Sequence, residues 1–135
     1  MTMNAIRVGA YGGPEELKYE SGVPKPEPAP GQALVRMEIA GINFIDVYVR
    51  GGVYQRSETY RNTPPFVPGM EGGGVVEAVG DGVDNVKPGD RVAYCLVLGS
   101  YAEYAVVPAW RLVKIPDGVA ISDAVTLMLQ GMTAR

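Results

Sequence analysis

The chain has 135 residues, 47% of them hydrophobic, with 12 Lys and Arg against 15 Asp and Glu for a formal charge of −3. That suits one domain with a modest core, leaves no room for a second, and offers no basic footprint for nucleic acid or an anionic membrane surface. Histidine is absent and Cys95 is the single cysteine, which excludes an internal disulfide, excludes hydrolases built on an imidazole base, and disfavours catalytic zinc, whose sites take about three ligands drawn largely from His and Cys.

The N-terminal "MTMNAIRVGAYG" lacks a basic stretch followed by an apolar core, and no segment reaches about 18 continuous apolar residues, so the chain reads as soluble and cytoplasmic. "NAIRVGAY" reads as a first strand, and "GGPEELKYE" as a turn leading into a second. "PKPEPAPG" is an extended, Pro-rich connection. "QALVRMEIAG" alternates with period two and predicts a strand with Val35, Met37 and Ile39 on one face and Leu34, Arg36 and Glu38 on the other.

A short helix is predicted next, capped by Asn43, with Asp46 near its positive end and Gly51 and Gly52 as the stop. "GGVVEAVG" reads as a strand closed by the turn-rich "DGVDNVKPGD"; "RVAYCLVL", "SYAEYAVVP" and "RLVKIP" follow as strands, each bounded by Gly or Pro. Cys95 is expected as a buried small hydrophobe, and Tyr101 and Tyr104 on opposite faces of one strand. The last predicted element is a helix, "SDAVTLMLQGMTAR", with Ser122 as its cap and little polar face; it reads as a helix cut short, the alternative being a terminal helix buried in its own core or in a dimer. Six or seven strands at this spacing make the fold class mainly β (α+β), a barrel or sandwich with two short helices.

"PGMEGGGVVEAVGDGVDN" invites a nucleotide-loop reading that the order of elements opposes. A dinucleotide fingerprint needs strand, Gly loop, then helix, whereas Gly72 to Gly74 lead into a strand. "GDGVDN" does follow a strand, but Pro88 and Gly89 end it too soon for a helix, and Asp81 and Asp84 would repel a phosphate. Tight turns and close strand approach explain these glycines better. Carboxylates alone could hold Mg or Ca, yet no acidic cluster has EF-hand spacing.

Taken together, "GINFIDVYVRGGVY", "PFVPGMEGGGVVEAVGDGVDNVKPGDRVAY", "SYAEYAVVP" and "LMLQGMTA" resemble, in order and over nearly the whole chain, the N-terminal domain of the medium-chain dehydrogenase/reductase superfamily. Within it they resemble the zinc-free quinone oxidoreductase branch that includes zeta-crystallin. The resemblance implies a GroES-like, partly open β-barrel over residues 1–121, with 122–135 beginning the helix that leads toward a Rossmann nucleotide-binding domain this chain does not contain. It implies that Asn43 stands where zinc-dependent relatives keep a catalytic Cys, and Met70 of "GME" where their "GHE" supplies a ligand His.

The chemistry so implied is reduction of a small-molecule quinone or enone by NADPH or NADH without zinc, in a full-length protein that is a homodimer and binds neither nucleic acid nor membrane. With no metal, negative charge growing on the acceptor oxygen must be met by hydrogen-bond donors. Asn43 offers an amide, Tyr48 and Tyr54 phenols, and Thr133 a hydroxyl. By resemblance, Asn43, Phe44 and Tyr48 line the nicotinamide side, Tyr54 sits near the quinone, and Gln130 and Thr133 lie where two domains meet. Read without the resemblance, Asn43 is a helix cap, Tyr48 is a core residue one turn past Phe44, and Asp46 and Glu71 are structural. A second reading, a non-catalytic GroES-like module that binds or self-associates through its apolar C-terminal helix, stays open.

Overall fold

Residues 1–135 are described by a computed structural model. Two antiparallel strands, β1 (Thr2–Val8) and β2 (Leu17–Pro24), pair as a hairpin-like ribbon joined by a single 3₁₀ turn at Pro14–Glu16. A five-stranded antiparallel sheet holds the rest. Its members are β3 (Gln32–Ala40), β4 (Glu71–Val79), β5 (Arg91–Cys95), β6 (Tyr104–Pro108) and β7 (Val113–Lys114), in the spatial order β6-β3-β4-β5-β7. Isolated bridges, Ala5 to Ala102 and Val8 to Phe66, tie the ribbon to the loops around the sheet. The result is an open barrel-like β-domain with short helices, as expected.

Four predicted strands are shorter than the apolar runs that signalled them, among them "RVAYCLVL", which ends at Cys95. The first ends at Val8, and "SYAEYAVVP" contributes only Tyr104–Pro108, so Tyr101 is not on the strand that holds Tyr104. "RLVKIP" spends Ala109–Arg111 on a 3₁₀ turn before the two-residue β7. The period-two reading of β3 also fails at its start, where Ala33, Leu34 and Val35 are all buried. There β3 lies between β4 and β6 and both faces are covered; the alternation holds only farther on, where Arg36 and Glu38 are exposed.

The core gathers Val35, Val76, Val92, Tyr94 and Val107 within the five-stranded sheet. A second, smaller cluster of Ala93, Ile115 and Val125 seats the C-terminal helix on β4 and β5. Glycine makes this seating possible: a Cβ on Gly73 would collide with Val125, and one on Gly74 would meet the Arg36 carbonyl inside van der Waals contact. "EGGG" is therefore a strand built for close approach rather than a phosphate loop.

The first helix, α1 (Phe44–Arg50), has the predicted limits, with Asn43 extended at the cap and Gly51 at the end. The C-terminal helix begins as α2 (Ile121–Thr126), its cap two residues earlier than predicted. Ser122 lies inside its first turn; Ala120 holds the cap position and supplies no side-chain bond. The helix then widens to π spacing over Leu127–Gly131 and closes with a last α turn, α3 (Met132–Ala134).

Candidate active-site cleft

Between α1 and the C-terminal helix lies a cleft of about 780 Å³. One wall is Ile42, Asn43, Phe44, Ile45 and Val47; the other is Leu129, Gln130, Thr133 and Ala134. Its polar groups are few and neutral: the Asn43 and Gln130 amides and the Thr133 hydroxyl. An apolar cleft with a few placed donors is the usual form of a small-molecule site.

Asn43 is 8% exposed and held from two directions. It forms a capping box with Asp46, whose carboxylate accepts the Asn43 backbone N–H at 2.9 Å. Its side-chain Nδ2 donates to Glu71 Oε1 at 3.0 Å. A primary amide carries two N–H donors, so one remains for whatever enters the cleft. Across the cleft, Gln130 Nε2 donates to the Ile42 carbonyl at 3.1 Å, and the Thr133 hydroxyl is spent on the Leu129 carbonyl at 2.6 Å.

Tyr48 and Tyr54 are not in this lining. They form a ladder beside it: Phe44 meets Tyr48 edge-on at 5.5 Å, Tyr48 meets Tyr54 at 6.4 Å, and Tyr54 meets Tyr60 at 5.5 Å. Tyr48 is 43% exposed, so the core role its sequence position allows is not the one it has. Edge-to-face stacking fixes the ring orientations at the cleft mouth. Tyr60 completes the ladder; no helical or strand period linked it to Tyr48, because the loop after Gly52 brings it back.

Asp46 is more than a helix-dipole residue. It is buried, and its Oδ2 accepts both the Asn43 N–H and the Tyr101 hydroxyl, the latter at 2.8 Å. Burial pushes the Asp46 carboxyl above its ordinary value, and the hydrogen bonds from Asn43 and Tyr101 pull it partly back. The Tyr101 phenol is driven up by burial and by the neighbouring carboxylate. Cys95 is buried, as expected, and its thiol is raised by desolvation. No group of three or more His, Cys, Asp or Glu side chains is arranged to hold a metal ion, and no helix is long and apolar enough to cross a membrane.

An open antiparallel barrel whose first helix and closing helix flank an apolar, amide-lined cleft defines a GroES-like domain. The profile of the alcohol dehydrogenase GroES-like domain matches residues 29–117, and the chain belongs to that family. Within it, the chain is an N-terminal domain of the quinone oxidoreductase branch of the medium-chain dehydrogenase/reductase superfamily. It is 43% identical to a quinone oxidoreductase of Pseudomonas aeruginosa, over 96% of this chain and 38% of that protein. Its backbone matches the quinone oxidoreductase of Pseudomonas syringae with a TM-score of 0.86 at 44% identity, over 97% of this chain and 39% of that one. The Escherichia coli quinone oxidoreductase, whose structure is a complex with NADPH, gives 0.84 at 34% identity, over 96% of this chain and 38% of that one. The chain thus spans about two-fifths of the length of these relatives.

Proposed function

We propose that this chain is the substrate-side domain of an NAD(P)H-dependent reductase that passes a hydride to a small quinone or enone without a metal, residues 122–135 leading toward a nucleotide-binding domain. The observation that carries the reading is the Asn43 amide, buried at the cleft floor with one N–H uncommitted. Support comes from relatives named as quinone oxidoreductases and from a neighbour bound to NADPH.

The donor set fits a nicotinamide: the cleft lining is apolar and uncharged, and the Gln130 amide is of the kind that pairs with a carboxamide, the one free Asn43 N–H being left for the acceptor oxygen. When bound there, the reduced nicotinamide supplies the hydride. Asn43, Phe44, Gln130 and Thr133 of the lining, with Tyr48 beside it, would hold and orient it from this side. Asn43, Tyr48 and Tyr54 meet the negative charge that grows on the acceptor oxygen, by hydrogen bonding and dipole orientation. Phenols near pKa 10 are poor proton donors at neutral pH, so water completes protonation of that oxygen. The apolar walls exclude solvent from the reacting carbon. In the longer protein we expect a cytoplasmic homodimer.

The test is turnover by the protein that joins this chain to a nucleotide-binding domain. It is expected to oxidise NADPH with a small quinone in the presence of a chelator, with Asn43→Ala lowering kcat by roughly a hundredfold, the usual cost of one oxyanion donor. Tyr54→Phe is expected to lower it by about fivefold, the value of one neutral hydrogen bond. Full loss of activity with a chelator, or unchanged rates in both variants, would count against the mechanism.

The outer face of the C-terminal helix, where Leu127 is 65% and Met132 59% exposed, favours a second reading as a self-associating module. Turnover in the longer protein separates the two.

A further inference from the structure

Beneath the cleft sits a carboxylate that the reaction itself does not require. Glu71 opens β4, is 2% exposed, and makes none of the salt bridges in the molecule. A buried charge with no basic partner is costly, and it is tolerated only where hydrogen bonds replace water. Both oxygens of Glu71 are so engaged, and with opposite walls of the cleft. Oε1 accepts Asn43 Nδ2 at 3.0 Å, while Oε2 accepts the Leu129 backbone N–H at 2.5 Å.

Two features make room for this arrangement. Gly41 leaves space for the carboxylate, since a Cβ there would collide with Oε1 and with the carbons behind it. Leu129 lies within Leu127–Gly131, where the C-terminal helix widens to π spacing. A widened turn is what a helix adopts when its ladder is locally diverted, and such turns concentrate at functional sites.

We propose that Glu71 is a positioning residue for the reductase site: one carboxylate sets the direction of the Asn43 amide and, through Leu129, fixes the helix wall that carries Gln130 and Thr133. This rests on the reading of Asn43 as the donor to the acceptor oxygen. Only a carboxylate can do both tasks, because it presents two acceptors and no donor. A glutamine of the same shape presents one acceptor and one NH₂ group. Either Leu129 N–H or Asn43 Nδ2 then faces a donor, and Asn43 can answer only by turning its amide over, which gives up its side of the capping box.

Hydrogen exchange at Leu129, read by NMR on this chain, tests the strap directly. In the wild type the Leu129 N–H is expected to exchange slowly, and Glu71→Gln to speed it by roughly ten- to a hundredfold, the range for a lost bond to a charged group. The double variant Asn43→Asp with Glu71→Gln restores complementarity, a carboxylate at 43 accepting from the amide at 71, whose oxygen is then free for Leu129. Protection is expected to return toward the wild-type rate.

In the two-domain protein, Glu71→Gln is expected to lower kcat by on the order of tenfold or more with little change in KM, since a misdirected group costs rate. The double variant should regain Leu129 protection without regaining kcat, because an aspartate at 43 donates nothing. Fast Leu129 exchange in the wild type overturns the strap, even if Glu71→Gln does not fold. Quinone reduction with a kcat indifferent to Glu71→Gln overturns the positioning role and leaves the reductase reading standing. Leu129 protection that follows residue 71, in a protein that reduces no quinone, overturns the reductase reading instead.

Discussion

At the scale of single residues, the polar groups around α1 act as one unit. Tyr101 holds Asp46, Asp46 holds the Asn43 backbone, and the Asn43 side chain reaches Glu71. Asp46 is the member whose ionisation the fold resists. Its folded pKa is raised above the ordinary value of 3.8, so the native state binds this proton more tightly than the unfolded chain does. The stability it contributes is therefore full below about 3.8 and is lost as pH rises through the folded value. Asp46→Asn removes that dependence. Urea unfolding from acid to neutral pH is expected to show the variant gaining on the wild type as pH rises; a constant difference would refute the raised carboxyl. Cys95, buried and with its thiol pushed up, is expected to react slowly with a disulfide reagent in the native state and quickly in urea. Equal rates in both conditions would be inconsistent with its placement. The sequence marked Asn43 and Asp46 as a cap, and this was legible because capping is local chemistry. That Asp46 also receives Tyr101, 55 positions away, was not legible.

The elements show why some patterns could be read and others misled. α1 carries its own start and stop signals, and its limits came out as predicted. The C-terminal helix offered Ser122 as a cap, but packing of Val125 onto Gly73 and Ile115 fixes where that helix must lie, and it starts at Ile121. Tertiary burial outweighed a local preference worth about 1 kcal/mol. β4 is the element most dependent on having no side chains. Gly74→Ala sets a methyl group against the Arg36 carbonyl on β3, and backbone cannot step aside as a side chain can. The variant is expected to lose about 1–3 kcal/mol, the range for overpacking, as read from the shift in denaturation midpoint. A change below a few tenths would show that the two strands can separate freely there. The "GGG" run signalled a close approach in the sequence; which strand approaches, and from which side, is settled by the register of β3 on β4.

For the molecule as a whole, the exposed surface is the informative part. Phe44 is 74% and Ile42 78% exposed, both in the cleft wall, although each is a large apolar side chain. Adjacent large apolar side chains left exposed beside a cleft mark a surface that binds something. If the cleft takes the nicotinamide as proposed, and the phosphates and ribose of the dinucleotide are held by a separate domain, this chain alone offers only one wall of the site. Calorimetry with NADPH is then expected to give no measurable heat for the 135-residue chain. Binding in the micromolar range would mean that the cleft holds the nucleotide without help.

The amino-acid sequence by itself determined which side chains this chain lacks, the order and kind of most elements, and the family to which the chain belongs. These follow from composition, short-range periodicity and motif order, all of which are local. Only the tertiary structure decided that Asn43 shares a carboxylate with Leu129 across 58 residues from Glu71, that Tyr60 closes an aromatic ladder begun at Phe44, and that both faces of early β3 are buried. Each of these depends on which segments meet in space, and no local preference encodes a meeting between segments so far apart in the chain.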